Sequence, residues 1–127
     1  TMALLLGTGG VSKAVQYALR QMGISYTLVS RYPNEHILGY EQLSQEVIQA
    51  HTIIINCTPL GMLPAVESLP PIPYQYLTQQ HLLYDCVYNP ACTAFLREGK
   101  KKGARTINGL EMLHAQADAA WEIWKNE

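Results

Sequence analysis

A glycine-rich turn near the start of the chain has the composition of a phosphate-binding loop. The uncharged apolar run 3–6 leads directly into it, and an apolar helical pattern follows it. Gly7 permits a tight turn, Gly9 lets a pyrophosphate approach the backbone without meeting a Cβ atom, and Ser12 is small enough for close helix–strand packing. Backbone N–H groups and the positive end of the helix dipole would face the phosphates. This context predicts a dinucleotide site, and a bare tight turn is the alternative.

The two residues after the second predicted strand bear on which dinucleotide would bind. A site that prefers NAD has an acid there to bind the ribose 2′-hydroxyl, but this sequence has Ser30 followed by Arg31. A carboxylate would repel a 2′-phosphate, whereas the Arg31 guanidinium offers it paired donors. We therefore expect NADP as the cofactor, and an ordinary loop arginine is the alternative.

Composition argues against several other classes of protein. The chain has 127 residues, a net charge of −1 and 48% hydrophobic residues. These values indicate one domain with a sizeable core and no basic nucleic-acid-binding surface. We recognise no secretion signal and no run near the roughly 18 apolar residues of a membrane span. The 3 cysteines and 4 histidines lack metal-ligand spacing, so we expect no metal site and reduced thiols in a cytoplasmic protein.

Hydrophobic periodicity predicts alternating strands and helices. The expected strands are 3–6, 26–29, 52–56, 82–87 and 105–107, and the expected helices are 11–22, 41–50, 90–102 and one that begins after 108, with a short helical turn near 74–79. We predict an α/β fold with a Rossmann-like doubly wound parallel sheet of about five strands in three α/β/α layers. Residues 1–127 would form one dinucleotide-binding domain.

Several predictions concern helix ends. Asn89 and Pro90 are expected to open a helix as its cap and first residue, and Gly99 inside that helix costs about 1 kcal/mol relative to alanine. Gly23 and Gly103 are expected to end the helices before them.

The last predicted helix has an edge that the spacing leaves open to two interpretations. Asn108 is expected to cap this helix, and Met112 and Gln116 lie one turn apart beside its apolar stripe. A glutamine there is either simply solvated or presents its amide to a hydroxylated ligand.

Four segments, taken in order, give the chain a resemblance to a known family. They are 7–14 (GTGGVSKA), 56–62 (NCTPLGM), 84–90 (YDCVYNP) and 108–117 (NGLEMLHAQA). The chain resembles the C-terminal, cofactor-binding domain of shikimate dehydrogenases, which reduce 3-dehydroshikimate to shikimate with NADPH in aromatic amino-acid (chorismate) biosynthesis. The match covers nearly the whole chain, and its second and fourth segments are more specific than the glycine loop.

The resemblance implies a role for each matching residue. The pyrophosphate would lie on the glycine loop and the 2′-phosphate on Arg31 beside Ser30, with the nicotinamide and the substrate further along the same edge of the sheet. The implied cofactor-binding residues are Gly7, Thr8, Gly9, Gly10, Val11, Ser30, Arg31, Thr58, Met62, Cys86 and Gly109, and the implied substrate-binding residues are Tyr88 and Gln116.

Two departures from the family pattern affect these expectations. The family often has a second basic residue after the second strand, whereas this sequence has Arg31 alone with Glu35 close by, which puts strict NADP selectivity in doubt. Family members are about twice as long, and their catalytic lysine and aspartate lie in an N-terminal substrate domain that these 127 residues do not include. We therefore expect no catalytic residue here and no turnover by this chain alone. The last predicted helix carries two tryptophans, and its apolar surface would be either exposed or buried in self-association.

Three other identities stay open. The chain could belong to a quinate-type dehydrogenase that uses NAD, to a methylene-tetrahydrofolate-type enzyme, or to a free-standing nucleotide-binding module.

Overall fold

A parallel six-stranded sheet runs through residues 2–87 and 89–109, which are the residues that the computed structural model describes. Its strands are β1 (Met2–Leu6), β2 (Ser25–Val29), β3 (Ile37–Leu38), β4 (Ile53–Asn56), β5 (Leu82–Asp85) and β6 (Arg105–Asn108), in the spatial order β3-β2-β1-β4-β5-β6. The helices are α1 (Gly10–Gln21), α2 (Gln45–Ala50) and α3 (Ala94–Lys101), with 3-10 turns at Tyr40–Gln42 and Tyr74–Tyr76. The chain runs from β1 to one side and returns to the other side at β4, which is the switch point of a doubly wound sheet.

The central strands are apolar on both faces because both faces are covered. On one face, Leu4 and Ile54 pack with Ile48 of α2 and Phe95 of α3. On the other face, Leu5 and its neighbours in β4 pack with Leu19 of α1. The two clusters make a three-layer α/β/α arrangement, as the sequence predicted.

Two glycines end helices as expected. Gly23 has φ +72°, and Ile24 beyond it donates its N–H to the Leu19 carbonyl at 2.9 Å. Gly103 has φ +84°, and the Ala104 N–H reaches the Gly99 carbonyl at 3.1 Å. Both predicted helix ends are confirmed, since a backbone of this handedness favours glycine.

The sheet has one strand more than the five that the sequence located. The additional strand, β3, lies at the edge of the sheet beside β2, and the Ser30 N–H donates to the Leu38 carbonyl at 2.9 Å. Two residues are too few to show a period in the sequence. The predicted helix 41–50 is also shorter than expected, because Ser44 caps α2 by accepting a hydrogen bond from the Val47 N–H at 3.3 Å.

The prediction that Asn89 caps a helix is wrong. The cap of α3 is Thr93, whose Oγ1 accepts a hydrogen bond from the Leu96 N–H at 3.3 Å. The bond between Asn89 and Pro90 is a cis peptide. Strand β5 ends at Asp85, before the predicted end at 87, because the Asp85 carboxylate accepts the Val87 N–H at 2.9 Å and turns the chain out of the sheet.

Within the described part of the chain, no helix combines the length and the apolar character that crossing a bilayer requires.

Candidate cofactor-binding site

The carboxyl ends of the parallel strands lie along one edge of the sheet. The register aligns Leu6 with both Val29 and Asn56, and it aligns Asp85 with both Asn56 and Asn108. The residues that follow these strands are therefore neighbours at this edge, where ligands bind in open α/β sheets. They are Gly7, Ser30, Cys57, Cys86 and Gly109.

The glycine loop has the backbone that a phosphate-binding turn needs. Gly7 has φ +108°, its N–H donates to the Val29 carbonyl at 2.8 Å, and a Cβ atom there would lie 3.0 Å from Cγ2 of Thr58. Gly9 caps α1 without a side-chain hydrogen bond, and a Cβ built on Gly9 or Gly10 meets no described atom within 4 Å. A dinucleotide phosphate therefore has open space and helix N–H donors in front of it.

Ser12 has the packing role that the sequence predicted. Its side chain is fully buried where α1 meets the sheet, and its Oγ accepts a hydrogen bond from Nε2 of Gln16 at 3.1 Å.

A buried asparagine positions the loop after β4. The Asn56 Oδ1 atom accepts hydrogen bonds from the Thr58 N–H at 3.0 Å and from the Thr58 hydroxyl at 2.6 Å. Its Nδ2 group donates to the Leu60 carbonyl at 3.2 Å and to Oδ1 of Asp85 at 3.1 Å. These bonds hold the loop that begins with Cys57 and Thr58 against the end of the neighbouring strand.

Asp85 completes this network as a structural residue. Its side chain is fully buried and accepts hydrogen bonds from Asn56, from the Val87 N–H and from the Thr93 hydroxyl, the last at 2.5 Å. Burial raises the pKa of Asp85, and the three hydrogen bonds act in the opposite direction. With its oxygens engaged in this way, the carboxyl group fixes the turn after β5 and the start of α3.

Two adjoining cavities open along the carboxyl edge and share Cys57, Thr58 and Pro59. The larger, of about 520 Å³, contains most of the glycine loop together with Ser30 and Arg31. The smaller, of about 370 Å³, is lined by Val11, Met62, Leu63, Cys86, Val87 and Asn89 in addition to the shared residues. The two cavities therefore adjoin, with the arginine in one and Met62 and Cys86 in the other, and together they suit an elongated ligand.

The cavities bring together most, but not all, of the predicted cofactor residues. Gly7, Thr8, Gly9, Ser30, Arg31 and Thr58 line the larger cavity, and Val11, Met62 and Cys86 line the smaller one. Gly10 begins α1 beside them, whereas Gly109 is buried beyond β6 and lines neither cavity. The predicted substrate residues, Tyr88 and Gln116, and nearly all of the predicted last helix lie outside the described residues.

Arg31 is exposed and has no carboxylate partner among the described residues. Its guanidinium carbon lies 5.3 Å from the centroid of the Tyr32 ring, a cation–π contact. Glu35, the acid that the sequence placed near this arginine, instead has its carboxylate 3.6 Å from Nε2 of His36. The arginine therefore keeps its hydrogen-bond donors available at the mouth of the larger cavity.

Two thiols lie side by side in the lining of the smaller cavity, and one of them, Cys57, also lines the larger cavity. Cys57 is buried and Cys86 is half-buried, on neighbouring strand ends joined by a hydrogen bond from the Cys86 N–H to the Asn56 carbonyl at 3.1 Å. A hydrogen bond between the two side chains and burial raise the pKa of the Cys57 thiol. Cys92, in contrast, is exposed.

Sequence reasoning missed Tyr40, which also lines the larger cavity. Tyr40 follows β3, so it was missed for the same reason as the strand: two residues show no period in the sequence. The available signal was the apolar pair Ile37 and Leu38 with Gly39 directly after it.

The sheet order and the glycine loop at its carboxyl edge define a Rossmann-like α/β domain with a dinucleotide-type site. No protein-family model matches the chain. The chain is similar to the NADP(+) shikimate dehydrogenase of Desulforamulus reducens, with 33% identity in an alignment that covers 96% of this chain and 48% of the relative. The resemblance to shikimate dehydrogenases is confirmed.

Solved structures of dehydrogenases show the same similarity to this chain. The shikimate dehydrogenase of Thermus thermophilus in complex with NADP(H) and shikimate is 30% identical, with a TM-score of 0.72, covering 98% of this chain and 49% of that one. The quinate dehydrogenase of Corynebacterium glutamicum in complex with NAD is 26% identical, with a TM-score of 0.73, covering 99% and 50%. The chain spans about half the length of the curated relatives it matches.

Proposed function

We propose that this chain is the cofactor-binding domain of an NADP-dependent shikimate dehydrogenase. The observation that carries the proposal is one cavity that joins the glycine loop to Arg31, with no acid in the position that NAD-specific sites use. The open space at Gly9 and the free arginine donors fit a dinucleotide that carries a 2′-phosphate. The whole protein would reduce 3-dehydroshikimate to shikimate in aromatic amino-acid biosynthesis.

Each part of the cofactor has candidate partners along the edge of the sheet. The helix N–H groups at Gly10 and Val11 would bind the pyrophosphate, and Arg31 the 2′-phosphate. The nicotinamide supplies the hydride when it is bound, and Thr58, Met62 and Cys86 would orient it and exclude water from its face. Gly109, Tyr88 and Gln116 keep the nicotinamide and substrate roles that the family resemblance implies.

The catalytic groups belong, in this proposal, to the half of the relatives that the chain does not span. Reduction of a ketone needs a proton donor beside the forming alkoxide. Asp85 is unsuited to that role because its carboxyl oxygens are bonded within the protein. The 127-residue chain should therefore bind cofactor without turning over substrate.

A substrate domain would complete the site and cover the predicted last helix. Without that domain, the helix could self-associate through its apolar surface. The free thiols of the chain suit a cytoplasmic location.

Cofactor titrations of the Arg31→Ala variant test the selectivity. Loss of a charge-assisted hydrogen bond should weaken NADP binding by roughly 1.5–3 kcal/mol while NAD binding stays nearly constant. Calorimetric titration of the chain with each cofactor gives the ratio of the NADP and NAD affinities. The control is Arg20→Ala, which removes an exposed arginine on α1, away from the cavity.

An unchanged ratio of NADP to NAD affinity in Arg31→Ala would show that this residue is not the selector. The second candidate function, a quinate-type dehydrogenase that uses NAD, is favoured because Arg31 is the single basic residue directly after the second strand. It predicts that the unmodified chain binds NAD at least as tightly as NADP.

A further inference from the structure

The edge strand β3 brings a tyrosine to the cofactor side of the sheet. Leu38 pairs with Val29 and accepts the Ser30 N–H at 2.9 Å, so the chain beyond β3 continues next to the chain beyond β2. Parallel strands end at the same edge. Tyr40 is thereby brought to the same end of the sheet as Arg31.

The Tyr40 side chain has two distinct surroundings. Its ring packs against the apolar core that contains Leu43 and Ile48, whereas the residue also lines the larger cavity with Arg31 and Thr58. Burial raises the pKa of Tyr40, and the charges of Arg31 and Cys57 also act on its hydroxyl. The phenol therefore stays protonated at neutral pH and lies in electrostatic reach of both sides of the cavity.

The Tyr40 hydroxyl has no hydrogen-bond partner in the described part of the chain. Other tyrosines do: the Tyr74 hydroxyl donates to the Pro70 carbonyl at 2.7 Å, and the Tyr26 hydroxyl donates to Oε1 of Gln16 at 3.1 Å. The hydroxyl of a half-buried tyrosine that lines a cavity, with its donor unused, is available to a ligand. Glu41, the acid next to it, lies against Gly39 and does not line the cavity.

We infer that the Tyr40 hydroxyl is a second donor, beside the Arg31 guanidinium, for the phosphate monoester on the 2′ position of a bound adenosine. The inference rests on the proposed function and deepens it. The 2′-phosphate would thus be bound by one cation, Arg31, and one neutral donor, Tyr40, and the neutral donor would compensate for the second basic residue that this sequence lacks. Tyr40 would be a specificity-determining residue for NADP over NAD.

The Tyr40→Phe variant tests this directly, because the substitution removes the hydroxyl and keeps the ring that packs on the core. The variant and the unmodified chain are each titrated with two nucleotides that correspond to the adenosine part of the cofactor. Adenosine 2′,5′-bisphosphate should bind the variant about tenfold more weakly, as expected when a hydrogen bond to a charged group is lost. Adenosine 5′-monophosphate, which lacks the 2′-phosphate, should bind the variant and the unmodified chain equally. Tyr17→Phe, on an exposed tyrosine of α1, is the matched control and should change neither affinity.

The outcomes separate this inference from the proposed function. If the unmodified chain binds the bisphosphate and Tyr40→Phe binds it equally well, the inference is wrong and the proposed function stands. If Tyr40→Phe weakens the binding of both nucleotides by the same factor, the hydroxyl does not bind the 2′-phosphate specifically, and the inference is again wrong. If the unmodified chain binds neither nucleotide, the proposed function fails and the inference fails with it.

Discussion

The three cysteines of the chain differ in exposure, and this difference gives a test of the site at the level of single atoms. Cys92 is exposed, Cys86 is half-buried at the smaller cavity, and Cys57 is buried with a raised thiol pKa. Alkylation proceeds through the thiolate, so it depends on both exposure and pKa. The three thiols should therefore react in the order of their exposure.

We expect iodoacetamide to label Cys92 first and Cys57 last, and bound NADP to slow the labelling of Cys86. Because its pKa is raised, Cys57 should remain nearly unreactive until the pH is well above the ordinary pKa of a cysteine thiol, about 8.5. Peptide mass spectrometry over time and pH measures all three rates in one sample, and Cys92 is the internal control. Equal protection of Cys92 and Cys86 by NADP would contradict the site.

Residues that follow predicted strands could be identified from the sequence, and a residue on an irregular segment could not. Arg31 was predictable because the strand before it has a β-branched and aromatic composition and the fold fixes where its end lies. Tyr40 was not, because the two residues of β3 carry no period and only pairing with β2 positions them. The role of Asn56 was equally hidden, since its partners come from the loop after β4 and from β5.

Helix α3 shows how packing overrides intrinsic preference at the scale of one element. Its first turn is capped by Thr93, which also donates to Asp85, so the helix begins at Ala94 and not at the predicted Pro90. Gly99, unfavourable by propensity, is buried against β5, and a Cβ atom there would lie 2.5 Å from Cδ2 of Leu83. The sequence pattern predicted the helix and its end at Gly103, but it could not show that Gly99 packs against Leu83.

We expect Gly99→Ala to lower the free energy of unfolding, although helix propensity alone predicts a gain of about 1 kcal/mol. Overpacking against Leu83 should cost about 1–3 kcal/mol, so the net change is a loss. Urea unfolding measures it, and Gly10→Ala, where an added Cβ meets no described atom within 4 Å, is the control. A more stable Gly99→Ala variant would show that Leu83 moves aside freely.

Over the whole molecule, the alternation of apolar strands and amphipathic helices was enough to predict the fold class. Strands β1, β4 and β5 are buried on both faces, and such strands are typical of the middle of a parallel sheet. The site follows from that topology, because the strand ends, the glycine loop and both cavities lie at one edge. The opposite edge, formed by the amino ends of the strands, instead holds two buried histidines. His51 forms a hydrogen bond with Thr27, and His81 forms one with Ile48.

Chemical-shift mapping of the isotope-labelled chain with NADP tests the cofactor site most directly. The backbone amide signals of Gly9, Arg31, Thr58 and Cys86 should move together and saturate at one affinity, because in our proposal one dinucleotide would occupy both cavities. The signals of His51 and His81, at the opposite edge, should stay in place. Shifts at the histidine edge, or no shifts at the glycine loop at saturating NADP, would contradict a cofactor site at the carboxyl ends of these strands.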